Sequence, residues 1–79
     1  MKYSAKIIVK GEPDNIIELF KPEIKEFQNK RASYELEKKG EQVEFNIKAQ
    51  DSTALRSVIN SITKNLTVYE KVSEAEKKN

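Results

Sequence analysis

Few side chains in this chain could carry out chemistry. The 79 residues include no histidine and no cysteine, so the most frequent general base, the most frequent metal ligand and the thiol nucleophile are all missing. Catalysis would therefore need paired carboxylates, an activated lysine or a serine with an unusual base. The two aspartates, Asp14 and Asp51, stand where a first helical turn and a helix N-cap are expected, so both have a structural explanation. We therefore expect a protein that is not an enzyme and that holds neither a metal ion nor a cofactor.

The composition is that of one small folded domain with balanced charge. Charged residues make up 35% of the chain, but Leu, Ile, Val and Phe together number twenty, about a quarter of it, which favours a folded domain over a disordered segment. Fifteen Lys and Arg against thirteen Asp and Glu give a net charge of +2, too balanced for nucleic-acid binding driven by charge alone. The apolar runs, such as Ile7–Val9, are too short to cross a membrane. We expect a single cytoplasmic domain over residues 1–79.

The spacing of apolar residues predicts three strands and two helices. The predicted strands cover about 2–10, 31–38 and 42–50, the predicted helices cover about 13–21 and 52–72, and 73–79 is expected to be frayed. Pro13 suits the first position of a helix, whereas Pro22 disfavours helical geometry at Lys21 and is expected to end or kink that helix. Asp51 is expected to cap the second helix.

The order strand–helix–strand–strand–helix predicts a two-layer α+β fold. A right-handed crossover makes the second strand parallel to the first, and the third strand then fits between them. We expect a three-stranded antiparallel sheet in the order first–third–second with both helices on one face, which is a ferredoxin-like unit without its fourth strand. Tyr3, Tyr34 and Phe45 share the phase of the apolar residues and should face the helices, so base stacking on the open face is not expected.

The predicted helices have more apolar and small surface than their own core requires. On the second helix, a strip beside the core stripe contains Ala54, Ser61, Asn65, Val68 and Val72. The first helix has a wide apolar arc that includes Ile17 and Leu19. Small side chains let another helix approach closely, so these surfaces suggest a protein partner. A solvent face without a selected role is the alternative, and the pattern does not separate the two.

The edge of the first strand is a second candidate contact surface. Lys6 and Ile8 lie on its outward face, next to the position of the missing fourth strand, and an open edge invites pairing with another chain. Lys2, Lys6 and Lys10 fit equally well as residues that prevent such pairing. Both interpretations stay open.

Three segments carry a family resemblance. In the segment Ala49–Ser61, an alanine and an aspartate stand at the end of a predicted strand. The motifs Ser-x-Ala-Leu-Arg and Asn-Ser follow on the predicted helix. The segment Phe20–Glu23 resembles a Leu-Lys-Pro-Glu that closes a first helix, and Arg31 stands where a second strand commonly begins with arginine. Together they resemble the small dimerisation subunit of the KEOPS complex, the archaeal and eukaryotic polarised-growth and chromatin-associated-controller family. The resemblance extends over nearly the whole chain.

This resemblance implies a role in an assembly that modifies tRNA. The KEOPS complex adds threonylcarbamoyl to the adenosine beside the anticodon in tRNAs that decode codons beginning with A. The small subunit forms a dimer through its sheet and docks its helices on the N-terminal lobe of the metal-binding transferase subunit. An atypical kinase/ATPase subunit and a further small tRNA-binding subunit complete the complex, and ATP and metal belong to those partners. The resemblance thus implies a cytoplasmic, non-catalytic dimeric scaffold that bridges two transferases.

The residues expected to make these contacts lie on both helices and on the first strand. They are Ile17, Leu19, Arg56, Asn60, Ser61, Val68 and Val72 for the partner protein, and Lys6 and Ile8 for the dimer edge. Arg56 and Asn60 could hydrogen-bond either a partner or the chain's own first helix. Ile62–Asn65 is more polar than the aromatic and arginine residues that often follow in the family, so a paralogue that forms a heterodimer is an alternative to a homodimer.

Two other classes of function are alternatives. A stand-alone tRNA- or DNA-binding module would grip phosphates through lysine-rich turns, and its affinity would depend steeply on salt. A transcription role, which is sometimes attached to this family, lacks any recognition-helix feature here. A ferredoxin-like sensor would need a small-molecule pocket at a dimer seam, which the sequence neither shows nor excludes.

Overall fold

The computed structural model describes the backbone of residues 2–27 and 31–77, and the side chains of residues 2–22 and 31–73. Its elements follow the predicted order: β1 (Tyr3–Lys10), α1 (Pro13–Phe27), β2 (Ala32–Lys39), β3 (Gln42–Ala49) and α2 (Ser52–Lys77). All three strands begin and end within one residue of the predicted bounds. Both helices extend further towards the C-terminus than expected.

The three strands form one antiparallel sheet in the order β1-β3-β2, which confirms the predicted fold class. On one side β3 pairs with β1 from Tyr3↔Ala49 to Lys10↔Gln42, and on the other side it pairs with β2. Gly40 sits in the two-residue turn between β2 and β3 with φ 61°, in the left-handed region where a glycine avoids the steric cost of a Cβ. Within the described residues, β1 and β2 are therefore the two edges of the sheet.

Buried apolar side chains fill the space between the sheet and the helices. Phe20 of α1 meets Phe45 of β3 edge to face, with ring centroids 4.9 Å apart, and Tyr34 of β2 lies beside both rings. From α2, Val58 and Ile62 reach the same core with no exposed surface. Full burial of one such side chain stabilises the fold by roughly 1.5–3 kcal/mol, so these contacts hold both helices to the sheet.

The first helix does not end at Lys21, where the sequence predicted a break, but continues through Pro22 to Phe27. Pro22 has no N–H to donate to the carbonyl of Glu18, so one helical hydrogen bond is lost. Both residues are exposed, and water can therefore satisfy that carbonyl. Phe20 is fully buried beside them and anchors this part of the helix. The packing of Phe20 in the core thus outweighs the tendency of Pro22 to end the helix. Likewise, α2 continues past the predicted end at residue 72 to Lys77.

The start of α2 is fixed by Asp51. Its Oδ1 accepts a hydrogen bond from the backbone N–H of Ala54 at 2.8 Å, as expected of an N-cap. The guanidinium of Arg31 contacts both carboxylate oxygens, at 3.2 and 3.0 Å. The hydrogen bond from the Ala54 N–H has the largest effect in lowering the pKa of the Asp51 carboxyl, and the hydrogen bond from Arg31 lowers it further. Two residues of the family resemblance thus meet at the junction that joins the start of β2 to the start of α2.

Candidate partner-binding surfaces

The strip predicted on α2 is at the surface for most of its length. Val68 and Val72 are 51% and 53% exposed, whereas Ser61 and Asn65 are half-buried. The side-chain amide of Asn65 donates a hydrogen bond to the backbone carbonyl of Ser61 at 3.0 Å. We call these four residues the outer strip. It combines short side chains near the middle of the helix with exposed apolar ones nearer its end.

Ala54 does not belong to this strip, contrary to the prediction. It is 7% exposed and forms part of the core. The strand residues Ala32 and Ala49, which are paired opposite each other at this end of the sheet, are both small and buried. Small side chains allow the first turn of α2 to approach the sheet closely, and Ala54 is therefore covered.

The two predicted contact residues of α1 are placed differently. Leu19 is 37% exposed, so its side chain is available to another protein. Ile17 is only partly exposed and packs against the core cluster. Of the two, Leu19 fits a partner contact better, and the role of either residue stays a prediction.

Arg56 and Asn60 are exposed and lie away from the outer strip. At 100° per residue, they point about 80–160° away from the line through Ser61, Val68 and Val72. Within the described part of the chain, neither side chain forms a hydrogen bond or an ion pair. The described residues therefore supply no hydrogen bond or ion pair between these two side chains and α1.

The second half of α2 is attached to the turn that follows β1. The hydroxyl of Tyr69 donates a hydrogen bond to the carboxylate of Glu12. Glu12 has φ 45°, an uncommon conformation for a residue with a Cβ. The hydrogen bond to Glu12, assisted by desolvation, raises the pKa of Tyr69. The sequence carries no local signal for this contact, because the two residues are 57 positions apart.

A cleft of about 730 Å³ opens where the end of β1, the start of α1 and the second half of α2 meet. Val9, Ile16 and Leu66 supply apolar lining, and Lys10 and Glu70 supply charged lining. The cleft has no local signal in the sequence, because its walls come from three separate segments.

The side of β1 that faces the helices is only partly covered. Ala5, Ile7 and Val9 pack against the core but remain partly exposed, and Tyr3 is 42% exposed. On the opposite face of the strand, Ile8 is 49% exposed at the predicted edge. Both faces of β1 thus present apolar side chains to solvent.

One carboxylate is buried on the open face of the sheet. Glu44 of β3 is 6% exposed, and its Oε1 lies 3.4 Å from the Nζ atoms of both Lys6 and Lys39. Burial raises the pKa of Glu44, but hydrogen bonds and charge attraction from the two lysines outweigh it, so the pKa is lowered overall. Lys6 therefore has a partner inside the chain. Strand alternation alone did not reveal it.

The described residues contain neither a cluster of metal ligands nor a helix that could span a membrane. No group of three or more Asp or Glu side chains there is arranged to hold a metal ion. No described helix has the length and apolar character needed to span a membrane.

Comparison with known proteins identifies the family of this chain. No curated protein matches the chain significantly. The model of a family described as "Transcription factor Pcc1" matches residues 12–74. This range contains both helices up to the last turn of α2, the β2–β3 hairpin and the Asp51 junction. Since the match covers well over half of the sequence, the chain belongs to the Pcc1 family.

Proposed function

We propose that this chain is a non-catalytic scaffold subunit of the KEOPS complex, which adds threonylcarbamoyl to the tRNA adenosine next to the anticodon. Its Pcc1 family membership supports a KEOPS-associated role. The observation that carries the proposal is the exposure of Val68 and Val72, both more than half exposed. All other apolar residues of α2 within the described side chains are buried or half-buried.

The outer strip suits a helix of the transferase subunit. Ser61 and Asn65 have short side chains, and the Asn65 amide is held against the helix by its hydrogen bond to the backbone carbonyl of Ser61, so a partner helix can approach closely there. Val68 and Val72 then supply apolar area that is removed from water on docking. In this arrangement the transferase is the direct partner. The kinase/ATPase and further small subunits join through the complex, and tRNA is its substrate.

The sheet is the proposed surface for dimerisation, with Lys6 and Ile8 at the β1 edge. A homodimer would bridge two transferases, and its mass would be twice 9.1 kDa, about 18 kDa. Size exclusion with light scattering at micromolar concentration measures this directly. A monomer would contradict the homodimer and leave only a heterodimer with a paralogue.

The outer strip is tested by Val68→Glu, with the adjacent exposed residue in Thr67→Glu as the matched control. A glutamate at position 68 would bury a charge in the interface, so we expect transferase affinity to fall at least about tenfold. At position 67 the same charge points about 100° away and should leave the affinity unchanged. Equal affinities for the two variants would show that the transferase docks elsewhere.

Nucleic-acid binding is the second candidate, and the charge of α2 favours it. Its exposed face carries Arg56, Lys64 and Lys71, and Glu70 is the one acidic residue among its described side chains. A direct phosphate contact predicts that the isolated chain binds tRNA with an affinity that falls steeply as salt rises. Weak binding that barely depends on salt would reject this candidate and leave the scaffold.

A further inference from the structure

We propose that the cleft at the end of β1 binds a small organic cation, a primary amine with an apolar body. The cleft has a volume of about 730 Å³ and lies where three separate segments of the chain meet. Small-molecule sites are commonly clefts of roughly 300–1,000 Å³ with an apolar lining and a few converging polar groups. The inference goes beyond the proposed scaffold role, because that role assigns no ligand to this part of the chain.

Apolar side chains from three elements line the cleft. Val9 lies near the end of β1, Ile16 near the start of α1, and Leu66 in the second half of α2. Ile16 is buried in the core, and Val9 and Leu66 are half-buried and pack against it. The fold itself therefore holds this lining in place. The apolar body of a ligand would cover the surface of Val9 and Leu66 that remains exposed to water.

Tyr69 adds an aromatic side chain to the lining of the cleft. Its hydroxyl donates a hydrogen bond to the carboxylate of Glu12, which holds the ring at the junction between α2 and the turn after β1. The negative face of an aromatic ring attracts a cation that lies within about 6 Å of the ring centre. Tyr69 therefore favours an ammonium group over a neutral or anionic group of the same size.

Two carboxylates line the same cleft, Glu12 from the turn and Glu70 from α2. Tyr69 occupies the Oε2 oxygen of Glu12 and leaves Oε1 as an acceptor for a ligand. Within the described part of the chain, Glu70 forms no ion pair. A hydrogen bond between an ammonium group and a carboxylate is shorter and stronger than one between neutral groups. The two glutamates thus supply acceptors that suit a charged amine.

Lys10 is the cationic residue among the described lining, and its charge favours an anionic ligand instead. Strand alternation places its side chain on the outward face of β1, whereas Val9 faces the helices and packs against the core. One lysine against two glutamates leaves the described lining with a net formal charge of −1. Charge complementarity therefore favours a cation, and binding of an anion is an outcome that the test distinguishes.

The test titrates the full isotope-labelled chain with three probes of similar size and different charge, namely phenethylamine, phenethyl alcohol and phenylacetate. Amide chemical shifts at constant salt measure the affinity of each probe and locate its contact. We expect the amine to bind with a dissociation constant of about 1 mM, as is usual for so small a ligand. It should bind at least about fivefold more tightly than the alcohol or the acid, with shifts concentrated at residues 9–12 and 66–73.

Two variants with the same change of charge separate the cleft from the rest of the surface. Glu70→Gln removes one carboxylate from the cleft and keeps the size of the side chain, so the affinity for the amine should fall at least about threefold. Glu37→Gln removes an exposed carboxylate from the open face of the sheet and should leave that affinity unchanged. The alcohol should bind both variants as it binds the parent chain.

The proposal is overturned if the amine does not bind at about 10 mM, tenfold above the expected dissociation constant. It is also overturned if the three probes bind equally, if the two variants bind the amine alike, or if the shifts lie outside the cleft. Tighter binding of phenylacetate would overturn it as well and would assign the cleft to an anion near Lys10. None of these results depends on transferase binding, which the Val68→Glu and Thr67→Glu variants test separately.

Discussion

Each edge strand of the sheet has an inward-facing tyrosine, and the two tyrosines differ in solvent exposure. Tyr34 on β2 is 1% exposed beneath the helices, whereas Tyr3 on β1 is 42% exposed. Both strands have eight residues and alternate between apolar and polar side chains, so strand sequence does not explain the difference. The placement of the helices explains the difference in exposure. The helix α1 packs on β2 and β3, and α2 packs on β3 and β2 more than on β1. Two helices cover about two strands and leave the third half-covered.

The chain also connects its two sides differently. On the β2 side, Arg31 and Asp51 join a strand start to a helix start through two charged contacts and a helix cap. On the β1 side, a hydrogen bond from Tyr69 to Glu12 connects α2 to the turn before α1. The β2 side thus serves stability, and the β1 side retains exposed apolar surface that can serve binding.

Exchanging each tyrosine for alanine should give the largest difference between the two sides. Tyr34→Ala leaves a cavity in the aromatic cluster and should destabilise the fold by about 3–5 kcal/mol, enough to unfold much of so small a domain. Tyr3→Ala removes a half-exposed ring and should cost about 1 kcal/mol or less. Urea unfolding followed by circular dichroism measures both variants. Similar losses would show that β1 is as well covered as β2.

The Asp51 junction should give an intermediate effect that depends on pH. Its carboxyl has a folded pKa below the ordinary value of 3.8, so its contribution to stability is present above 3.8 and is lost as pH falls through the folded pKa. Asp51→Asn should therefore lower the urea midpoint at neutral pH. The difference in urea midpoint between the variant and the parent chain should narrow as the pH falls below 3.8 and through the folded pKa. A gap that persists unchanged at acid pH would contradict the role given to the charged form.

The smallest effect is expected from Tyr69→Phe on the β1 side. It removes one partly exposed hydrogen bond, which contributes less than about 1 kcal/mol. The pKa of Tyr69 is raised above 10.0, so this contribution is complete below pH 10.0 and is lost as pH rises through the folded pKa. Thermal unfolding between neutral and alkaline pH should show the two chains converging above that value. A loss as large as that of Tyr34→Ala would mean that the β1 side is a stability element.

Most of the fold could be predicted from the sequence, because strand alternation and turn residues are local signals. The alternation of apolar residues located all three strands within one residue, and the right-handed crossover rule determined their order. The cap at Asp51 was also a local signal, since an aspartate just before an apolar-periodic run fits an N-cap. The exposure of Val68 and Val72 followed from their phase on α2.

The remaining features depend on contacts between distant segments. The phase of Ala54 suggested exposure, yet the small residues Ala32 and Ala49 beneath it allow its burial. Local preference ended α1 before Pro22, but packing carries the helix past it. Glu44 has an outward phase and is nevertheless covered by two lysines from neighbouring strands. Periodicity shows which way a side chain points and not what lies over it.

The most direct test of the proposed docking through α2 uses the absence of cysteine from the chain. Single cysteines introduced as Val68→Cys and Thr67→Cys report the accessibility of neighbouring positions on two faces of the helix. The measurement is the rate of thiol alkylation with and without the transferase subunit. We predict that the transferase slows alkylation at position 68 and leaves position 67 unchanged. Equal rates at position 68 with and without the transferase would contradict docking on the outer strip.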